Sequence, residues 1–446
     1  MNFDESLARL RRFIAGLHEK AGTKQEKVGS FKELLQAGTY FEREPYGALA
    51  LAGVERTSYK NCLHDITEIA TKKELISKAA VESHVQTAIL KVVNADAHGA
   101  EEFNQRLSEA MAELKRSLLL TPARWELYLQ VLGLSANGLP QQFGPCRFYL
   151  ADQPVIALLH GRVTHGEPVA IAATDAAAAQ PDATLEMLRK MMLGGIWSEV
   201  HVEAIDKEAA LRLAERRLRL TIDVINFFAE LTQDRTRIFL PGDAGPSARY
   251  ALRIASDGST PDLAQIRVGP LAEFSFTQIP QAMTRMLGLQ KVSDWLAEPR
   301  PSDLQDRILS ALQWAGRAGV EERREEAFLL YAIALEGLLL GGKSHVELTE
   351  RLAVRGAHLL SGDPKARENV YDELKALYGI RSKIVHSGSV EVTDDELDRI
   401  AAVVRGALVT ILHMSPLSGM TAESQLEDWF KEQLLGGTQV PYEKSK

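Results

Sequence analysis

Apolar residues recur every three or four positions over the first 120 residues and again after residue 300, whereas between these stretches they alternate with polar residues. The first spacing is typical of amphipathic helices and the second of strands. Residues 1–120 are therefore predicted to be a helical region, 121–300 a mixed α/β domain, and 301–415 a helical bundle, with a C-terminal helix and tail over 416–446. The predicted fold class is α+β, predominantly helical.

The middle region contains short apolar runs separated by glycine and proline, which predict strands. The runs are WELYLQVLGL, CRFYL, VIALLHGRV, VAIAA, WSEVHVEAI, RIFLP, ARYALRIAS and AEFSFTQ. A long helix is expected among them, over Asp206–Leu231, because its apolar residues form one stripe. Arg212, Arg216 and Arg219 form a second stripe, interspersed with acidic residues. We expect this stripe to be a solvated charged face, with RNA contact as the alternative.

The helical segment after residue 300 carries clear start and stop signals. Ser302 can cap a first helix, and a second helix is predicted over about 321–340. Further helix starts are predicted by pairs that match a capping box, or a cap followed by proline: Ser344 with Glu347, Asp363 with Pro364, and Thr393 with Glu396. Short connections between five such helices predict an antiparallel bundle.

Composition places the 446-residue chain among soluble proteins, with 45% hydrophobic and 25% charged residues. The apolar stretch Ala327–Gly342 is short for a bilayer and contains Glu336, so we interpret it as a buried helix. The sequence shows no secretory signal, and Cys62 and Cys146 form no CxxC metal spacing. A cytoplasmic location without membrane attachment is expected. The formal net charge of −8 argues against general attraction to phosphates.

The stretch LYGIRSKIVHSG, residues 377–388, holds the candidate chemistry: Arg381 and His386 lie five positions apart. Arg381 is expected just past the helix that carries Leu374 and Leu377. On a regular helix the two side chains would point about 140° apart. Either the helix ends or distorts between them, or their functional partners come from elsewhere, such as a second subunit.

An arginine and a histidine suit phosphodiester cleavage without a metal. A guanidinium can neutralise charge on the phosphate oxygens, and an imidazole can move protons near neutral pH. RNA supplies its own nucleophile, the 2′-hydroxyl. In the alternative interpretation, Arg381 pairs with Asp372 or Glu373, and His386 only ends a helix. The scattered histidines match no metal-binding motif, so neither a metal nor another cofactor is expected.

Residues 321–410, about a quarter of the chain, resemble the Apea-like branch of the HEPN domain family. The resemblance rests on three blocks in order: FLLYAIALEGLLLGG, ERLAVRGAHLLSGD and LYGIRSKIVHSG. It implies a bundle of four or five helices that dimerises, so that two Arg-x4-6-His motifs share one cleft. Active members of this family are metal-independent endoribonucleases, many of them in phage defence or toxin systems.

Carried onto this chain, the resemblance makes Arg381 and His386 the catalytic pair. It makes Ser382 the polar residue after the arginine, where active members often have Asn, Asp or His. Glu336 falls where the family often carries an acid on the second helix, and it either orients Arg381 or faces water. The Arg-x4-6-His pattern also matches Arg12 with His18 and Arg351 with His358. Arg351 and His358 could line the same cleft, but we expect them to be structural, and we expect no catalytic role for Arg12 and His18.

Two functions follow from the sequence. In the first, the protein is a homodimeric ribonuclease acting on RNA, with tRNA as a candidate, and residues 1–300 sense an unknown trigger or restrain the nuclease. In the second, the bundle is catalytically silent and serves as a dimerisation, nucleotide-binding or regulatory scaffold. Retention of Arg381 and His386 favours the enzyme. Ser382 and the charge of 301–415, with 14 Lys and Arg against 18 Asp and Glu, favour the scaffold.

Overall fold

The structure is a computed structural model. It describes residues 2–21, 39–43, 47–51, 53–93, 100–164, 169–171, 181–232, 237–241, 249–253, 262–266, 273–278, 288–341, 348–387 and 391–436. Helices predominate over short strands in these residues, so the predicted α+β class is confirmed. The chain folds into two compact units, 1–127 with 201–214 and 128–200 with 215–446. Within the described ranges, no helix is long and apolar enough to cross a membrane.

The first unit is built mainly from four helices: α1 (Phe3–Ala21), α2 (Gly53–Ala70), α3 (Lys78–Val93) and α4 (Ala100–Leu118). Their apolar stripes meet in one core, which includes Leu10, Ile14, Ile66, Val85 and Leu107. A hairpin of strands β1 (Thr39–Arg43) and β2 (Gly47–Leu51) also belongs to this unit, and the sequence pattern did not predict it.

A five-stranded sheet with the order β4-β5-β7-β3-β6 forms the middle of the chain. Its strands are β3 (Ala123–Val131), β4 (Gln141–Phe143), β5 (Cys146–Leu150), β6 (Val169–Ile171) and β7 (Ile196–Ala204). Helices α5 (Gln153–Thr164) and α6 (Pro181–Met192) pack against it around Tyr128, Tyr149 and Trp197. Strands β8 (Arg249–Arg253) and β9 (Asp262–Ile266) form a separate antiparallel pair.

The prediction of a strand at VIALLHGRV is wrong, because this stretch is helix α5. The Asp152 carboxylate caps the helix by accepting a hydrogen bond of 3.0 Å from the Val155 amide. Ile156 and Leu159 are buried, whereas Leu158 is 64% exposed. Burial three residues apart is a helical pattern, which the short apolar run concealed.

The strands predicted at RIFLP and AEFSFTQ are also wrong, because each forms one isolated bridge, at Phe239 and Phe274. At RIFLP, the side-chain amide of Asn226 replaces a neighbouring strand. It donates to the Ile238 carbonyl oxygen and accepts from the Ile238 amide, both at 2.9 Å. These local bonds satisfy backbone groups that a ladder would otherwise pair.

The remaining elements are helical: α7 (Lys207–Glu230), α8 (Leu289–Ala297), α9 (Asp303–Val320), α10 (Arg324–Leu339), α11 (Leu348–Leu360), α12 (Pro364–Ser387), α13 (Asp394–His413) and α14 (Glu423–Leu434). Helices α9 to α13 are the five predicted between 301 and 415. The predicted cap at Ser302 and the predicted capping box at Thr393 are confirmed. So is the cap at Asp363, which accepts from the Ala366 amide at 2.8 Å. The predicted pair Ser344 and Glu347 lies outside the described residues.

The part of α7 in the second unit packs closely onto the bundle, an arrangement that the sequence pattern did not predict. At Gly316 on α9, an added Cβ would lie 1.7 Å from the Asp223 carbonyl oxygen, so a larger residue would force the two helices apart. One turn away, Gln313 donates to the Asp223 carboxylate at 3.3 Å. The bundle is therefore supported by a helix that lies about 80 residues before it in sequence.

Candidate functional site

Helix α12 carries Arg381, Ser382 and His386 without interruption. The expectation that Arg381 lies past the end of this helix is wrong. Arg381 instead continues the buried stripe of Leu374 and Leu377, which ends with Ile384. Because these positions share one helix face, Arg381 points towards the bundle interior rather than into a loop.

Glu336 on α10 meets this arginine. Arg381 Nε lies 3.0 Å from Glu336 Oε1, and the side chains are 28% and 23% exposed. Of the two positions considered for Glu336, the structure therefore shows the one beside Arg381. The alternative acid Glu373 is engaged elsewhere, accepting from Arg399 Nε and Nη2 at 2.6 Å each.

The pair is an ion pair rather than an aligned hydrogen bond, because Glu336 Oε1 accepts no hydrogen bond in the described part of the chain. The guanidinium carbon of Arg381 also lies 5.6 Å from the centre of the Tyr378 ring. Burial, and then the Glu336 carboxylate, raise the pKa of the Tyr378 hydroxyl. Arg381 is thus positioned by a carboxylate and an aromatic face, a combination that orients guanidinium groups.

His386 lies elsewhere on the same helix. Its imidazole is exposed in the last turn, next to Val385, which is 51% exposed, while Ser382 is half-buried. Since α12 is continuous, the five-residue spacing turns His386 about 140° away from Arg381. The structure does not bring the two groups to one place within a single copy of the chain.

The space beside Arg381 is too small for a substrate. A cavity of about 10 Å³ lies there, lined by apolar residues that include Ala332, Leu335 and Leu377. Any ligand of Arg381 would therefore bind at the exposed part of its side chain rather than in this cavity.

The other Arg/His spacings lie on α1 and α11. The His18 side chain lies outside the described residues. His358 lines a cavity of about 40 Å³ together with Arg367 and Trp429. Burial, and then the Arg367 charge, lower the pKa of His358, which favours the neutral imidazole.

Three residues that the sequence did not single out form a polar contact between α7 and the bundle. Tyr331 on α10 donates to Glu230 Oε1 at 2.7 Å, and Arg405 on α13 donates to the same oxygen. Burial, and then Glu230, raise the pKa of Tyr331. No local pattern could have indicated these partners, because Glu230 lies 101 residues from Tyr331 and 175 from Arg405.

Comparison of the chain with protein-family models, curated proteins and solved structures gives no match. The HEPN resemblance therefore stays a prediction carried by the three sequence blocks and their order.

Proposed function

We propose that helices α9 to α13 form a HEPN-type, metal-independent endoribonuclease that acts as a homodimer. The observation that carries the proposal is the state of Arg381. Glu336 contacts its Nε, and among the described residues its terminal nitrogens make no hydrogen bond. A guanidinium has five N–H donors, so the terminal ones remain for phosphate oxygens.

The reaction needs two proton transfers and charge stabilisation. One imidazole removes the proton of the RNA 2′-hydroxyl while the 2′-oxygen bonds to phosphorus. The P–O5′ bond then breaks, and the 5′-oxygen takes a proton from a second imidazole. The products are a 2′,3′-cyclic phosphate and a 5′-hydroxyl, and Arg381 stabilises the charge that develops on the phosphate.

A second copy of the chain provides what one copy lacks. Arg381 and His386 point to different sides of α12, so one motif offers an incomplete site. A two-fold dimer would place both motifs around one phosphate. Two imidazoles could then divide the acid and base roles.

The direct test is incubation of purified protein with a tRNA pool in EDTA. We expect cleavage that leaves a 2′,3′-cyclic phosphate. His386→Ala should lower the rate by about 10² to 10⁴, the usual contribution of proton transfer. The matched control is His413→Ala, which removes another exposed histidine, at the end of α13. Cleavage that EDTA abolishes and Mg²⁺ restores would falsify the mechanism.

The dimer is tested by mixing Arg381→Ala and His386→Ala proteins so that subunits exchange. A site that uses one arginine and one histidine from different copies should recover partial activity. A site that requires all four groups should stay inactive. A verified monomer that cleaves RNA at the wild-type rate would contradict the shared cleft.

The catalytically silent scaffold remains the second candidate. The observation that favours it is the 10 Å³ cavity at Arg381, which is too small to enclose a substrate among the residues that line it. In that case the chain would dimerise, and neither RNA cleavage nor growth arrest on expression would appear. RNA cleavage or growth arrest would therefore distinguish the ribonuclease from the scaffold.

We also propose that residues 1–300 restrain the nuclease or sense a trigger in phage defence or a stress response. Deleting all 300 residues would be a poor test, because it removes Glu230 and leaves Tyr331 and Arg405 without their shared carboxylate. Deletion of residues 1–120 retains that contact. Higher RNA cleavage or toxicity of this shorter chain is expected, and equal activity would contradict restraint.

A further inference from the structure

A cavity of about 330 Å³ lies in the second unit, apart from the candidate nuclease site. It is surrounded by strands β3 and β7, the end of α6, the segment 237–241 and the stretch of α7 that begins at Glu215. Its volume falls at the lower end of the range for small-molecule sites, about 300 to 1,000 Å³. It can therefore hold a compact metabolite but not a nucleic-acid strand.

One side of the cavity is aromatic and fixed in place. The Trp197 indole nitrogen donates to the Met192 carbonyl oxygen at 3.2 Å, and Arg162 donates to the Tyr128 hydroxyl at 3.1 Å. Both rings are buried. Gly195 lets the indole lie close to the backbone, since an added Cβ would lie 3.0 Å from its nitrogen. The apolar surface therefore exists before any ligand binds, which lowers the entropic cost of binding.

The segment that brings Leu240 to the cavity is held from two directions. The side-chain amide of Asn226 binds both backbone groups of Ile238, and Phe239 exchanges backbone hydrogen bonds with Leu132 on the other side. Gly133 allows this approach, because an added Cβ would lie 1.9 Å from the Arg237 carbonyl oxygen. This side of the cavity is also pre-formed.

The polar edge carries charges of both signs. Glu215 and Arg219 line the cavity from α7, one helical turn apart, and Gln130 adds an amide. Residues four apart on a helix are neighbours, so a small ligand can contact both charged groups. A carboxylate accepts from an ammonium group, while a guanidinium donates to a carboxylate.

From this arrangement, we propose that the cavity binds a free α-amino acid with an apolar or aromatic side chain. The ammonium group would bind Glu215, the carboxylate would bind Arg219, and the side chain would lie against Trp197 and Leu240. A phosphorylated ligand fits less well, because Glu215 would repel its negative charge. A simple amine also fits less well, because Arg219 would repel its positive charge. This site is independent of RNA cleavage.

The test is isothermal titration of the full chain with L-phenylalanine, L-tryptophan and L-leucine. We expect saturable binding of at least one of them. The methyl ester, which lacks the carboxylate, and the N-acetyl derivative, which lacks the ammonium group, should each bind at least about tenfold more weakly. AMP and inorganic phosphate serve as anionic probes and should not bind at this site.

Glu215→Gln and Arg219→Gln should each weaken amino-acid binding by about tenfold or more, and the thermal midpoint of each free variant checks that it is folded. The matched controls are Glu208→Gln and Arg212→Gln, exposed charges on the same helix that do not line the cavity. Absence of binding by all three amino acids overturns the proposal. So does binding that both cavity variants retain, or binding of AMP that Arg219→Gln alone removes.

Discussion

Arginines in two parts of the bundle differ in how their donors are used. Arg355 donates to the Leu339 carbonyl at 2.7 Å, to both oxygens of Glu427, and lies over the Phe430 ring at 4.9 Å. Arg381 contacts one carboxylate through one nitrogen. Arg355 belongs to a group of contacts that joins α14 to the bundle, formed by Arg307, Arg355 and Glu427 and called the frame below. Arg381 lies on α12, called the site helix below.

Arg307 extends this frame. Its side chain is 5% exposed, its Nε donates to the Gly337 carbonyl at 2.9 Å, and Glu427 lies 3.5 Å from its Nη1. Burial lowers the pKa of this guanidinium, and the neighbouring carboxylates oppose that shift. Arg355 uses its donors within the fold, whereas Nη1 and Nη2 of the buried Arg307 make no hydrogen bond among the described residues. Unpaired terminal nitrogens therefore do not by themselves mark a binding arginine, and Arg381 differs from Arg307 because its side chain is 28% exposed. Substitutions in the frame should lower stability, and substitutions on the site helix should mainly lower activity.

The largest effect on stability is expected from Glu427→Ala. It removes the carboxylate that the buried Arg307 and the partly buried Arg355 share, and leaves Arg307 with only the more distant Glu423, at 3.9 Å. Uncompensated buried charge typically costs about 3 kcal/mol or more. Arg381→Ala should cost less, about 1 to 2 kcal/mol, because the carboxylate that it leaves, Glu336, is 23% exposed whereas Arg307 is 5% exposed. Both values are measured from the shift of the urea midpoint.

The control for this pair is Asp428→Asn, the next acidic residue on α14, which is exposed. It should change stability by less than about 0.5 kcal/mol. Equal losses from Glu427→Ala and Arg381→Ala would remove the distinction between frame and site.

Next in size is Tyr331→Phe, which removes the hydrogen bond from Tyr331 to Glu230 and so weakens the contact between α7 and the bundle. We expect a loss of about 1.5 kcal/mol in unfolding free energy, since the bond is made to a charged acceptor. Tyr371→Phe is the matched control: its hydroxyl donates to Glu350 at 2.7 Å on the exposed surface, and its loss should cost under about 0.5 kcal/mol. Similar losses for both variants would show that the contact with α7 stabilises the bundle no more than an exposed hydrogen bond does.

The difference between frame and site also explains which features the sequence predicted. The caps at Ser302 and Thr393 were predictable because a capping box lies within four residues. The sequence predicts the pairing of Glu336 with Arg381 as one of two alternatives, because a carboxylate in an apolar run needs a partner. It does not predict the Glu427 and Glu230 contacts, since partners 72 to 175 residues away leave no local pattern.

The continuity of α12 differs from the expected end of a helix before Arg381. Gly379 lies two residues before Arg381, yet the buried stripe of Leu374, Leu377 and Ile384 extends across it. One glycine in a helix costs only about 1 kcal/mol relative to alanine, less than burying a further apolar side chain contributes. The apolar stripe was therefore the stronger signal.

A smaller effect, of opposite sign, is expected from Gly379→Ala on the site helix. An added Cβ would meet nothing within 4 Å, so the folded state can accept it. We expect a gain of about 0.5 to 1 kcal/mol, because alanine has the higher helix propensity and restricts the unfolded chain. The gain is read from the urea midpoint. A loss of stability would indicate a helix that needs the freedom of glycine, and a loss of RNA cleavage alone would indicate that catalysis requires α12 to distort there.

The smallest effect concerns pH and lies at His358, beside the bundle cavity with Trp429. Burial and then the Arg367 charge lower the folded-state pKa of His358, while the unfolded chain should titrate near the usual 6.5. Below that pH the unfolded state binds more protons than the folded state, so stability falls as the pH is lowered from about 6.5. His358→Gln should reduce this fall, measured as urea midpoints between pH 7 and 5. Equal slopes for the wild type and His358→Gln would show that His358 does not contribute, and the pH response would then belong to other groups.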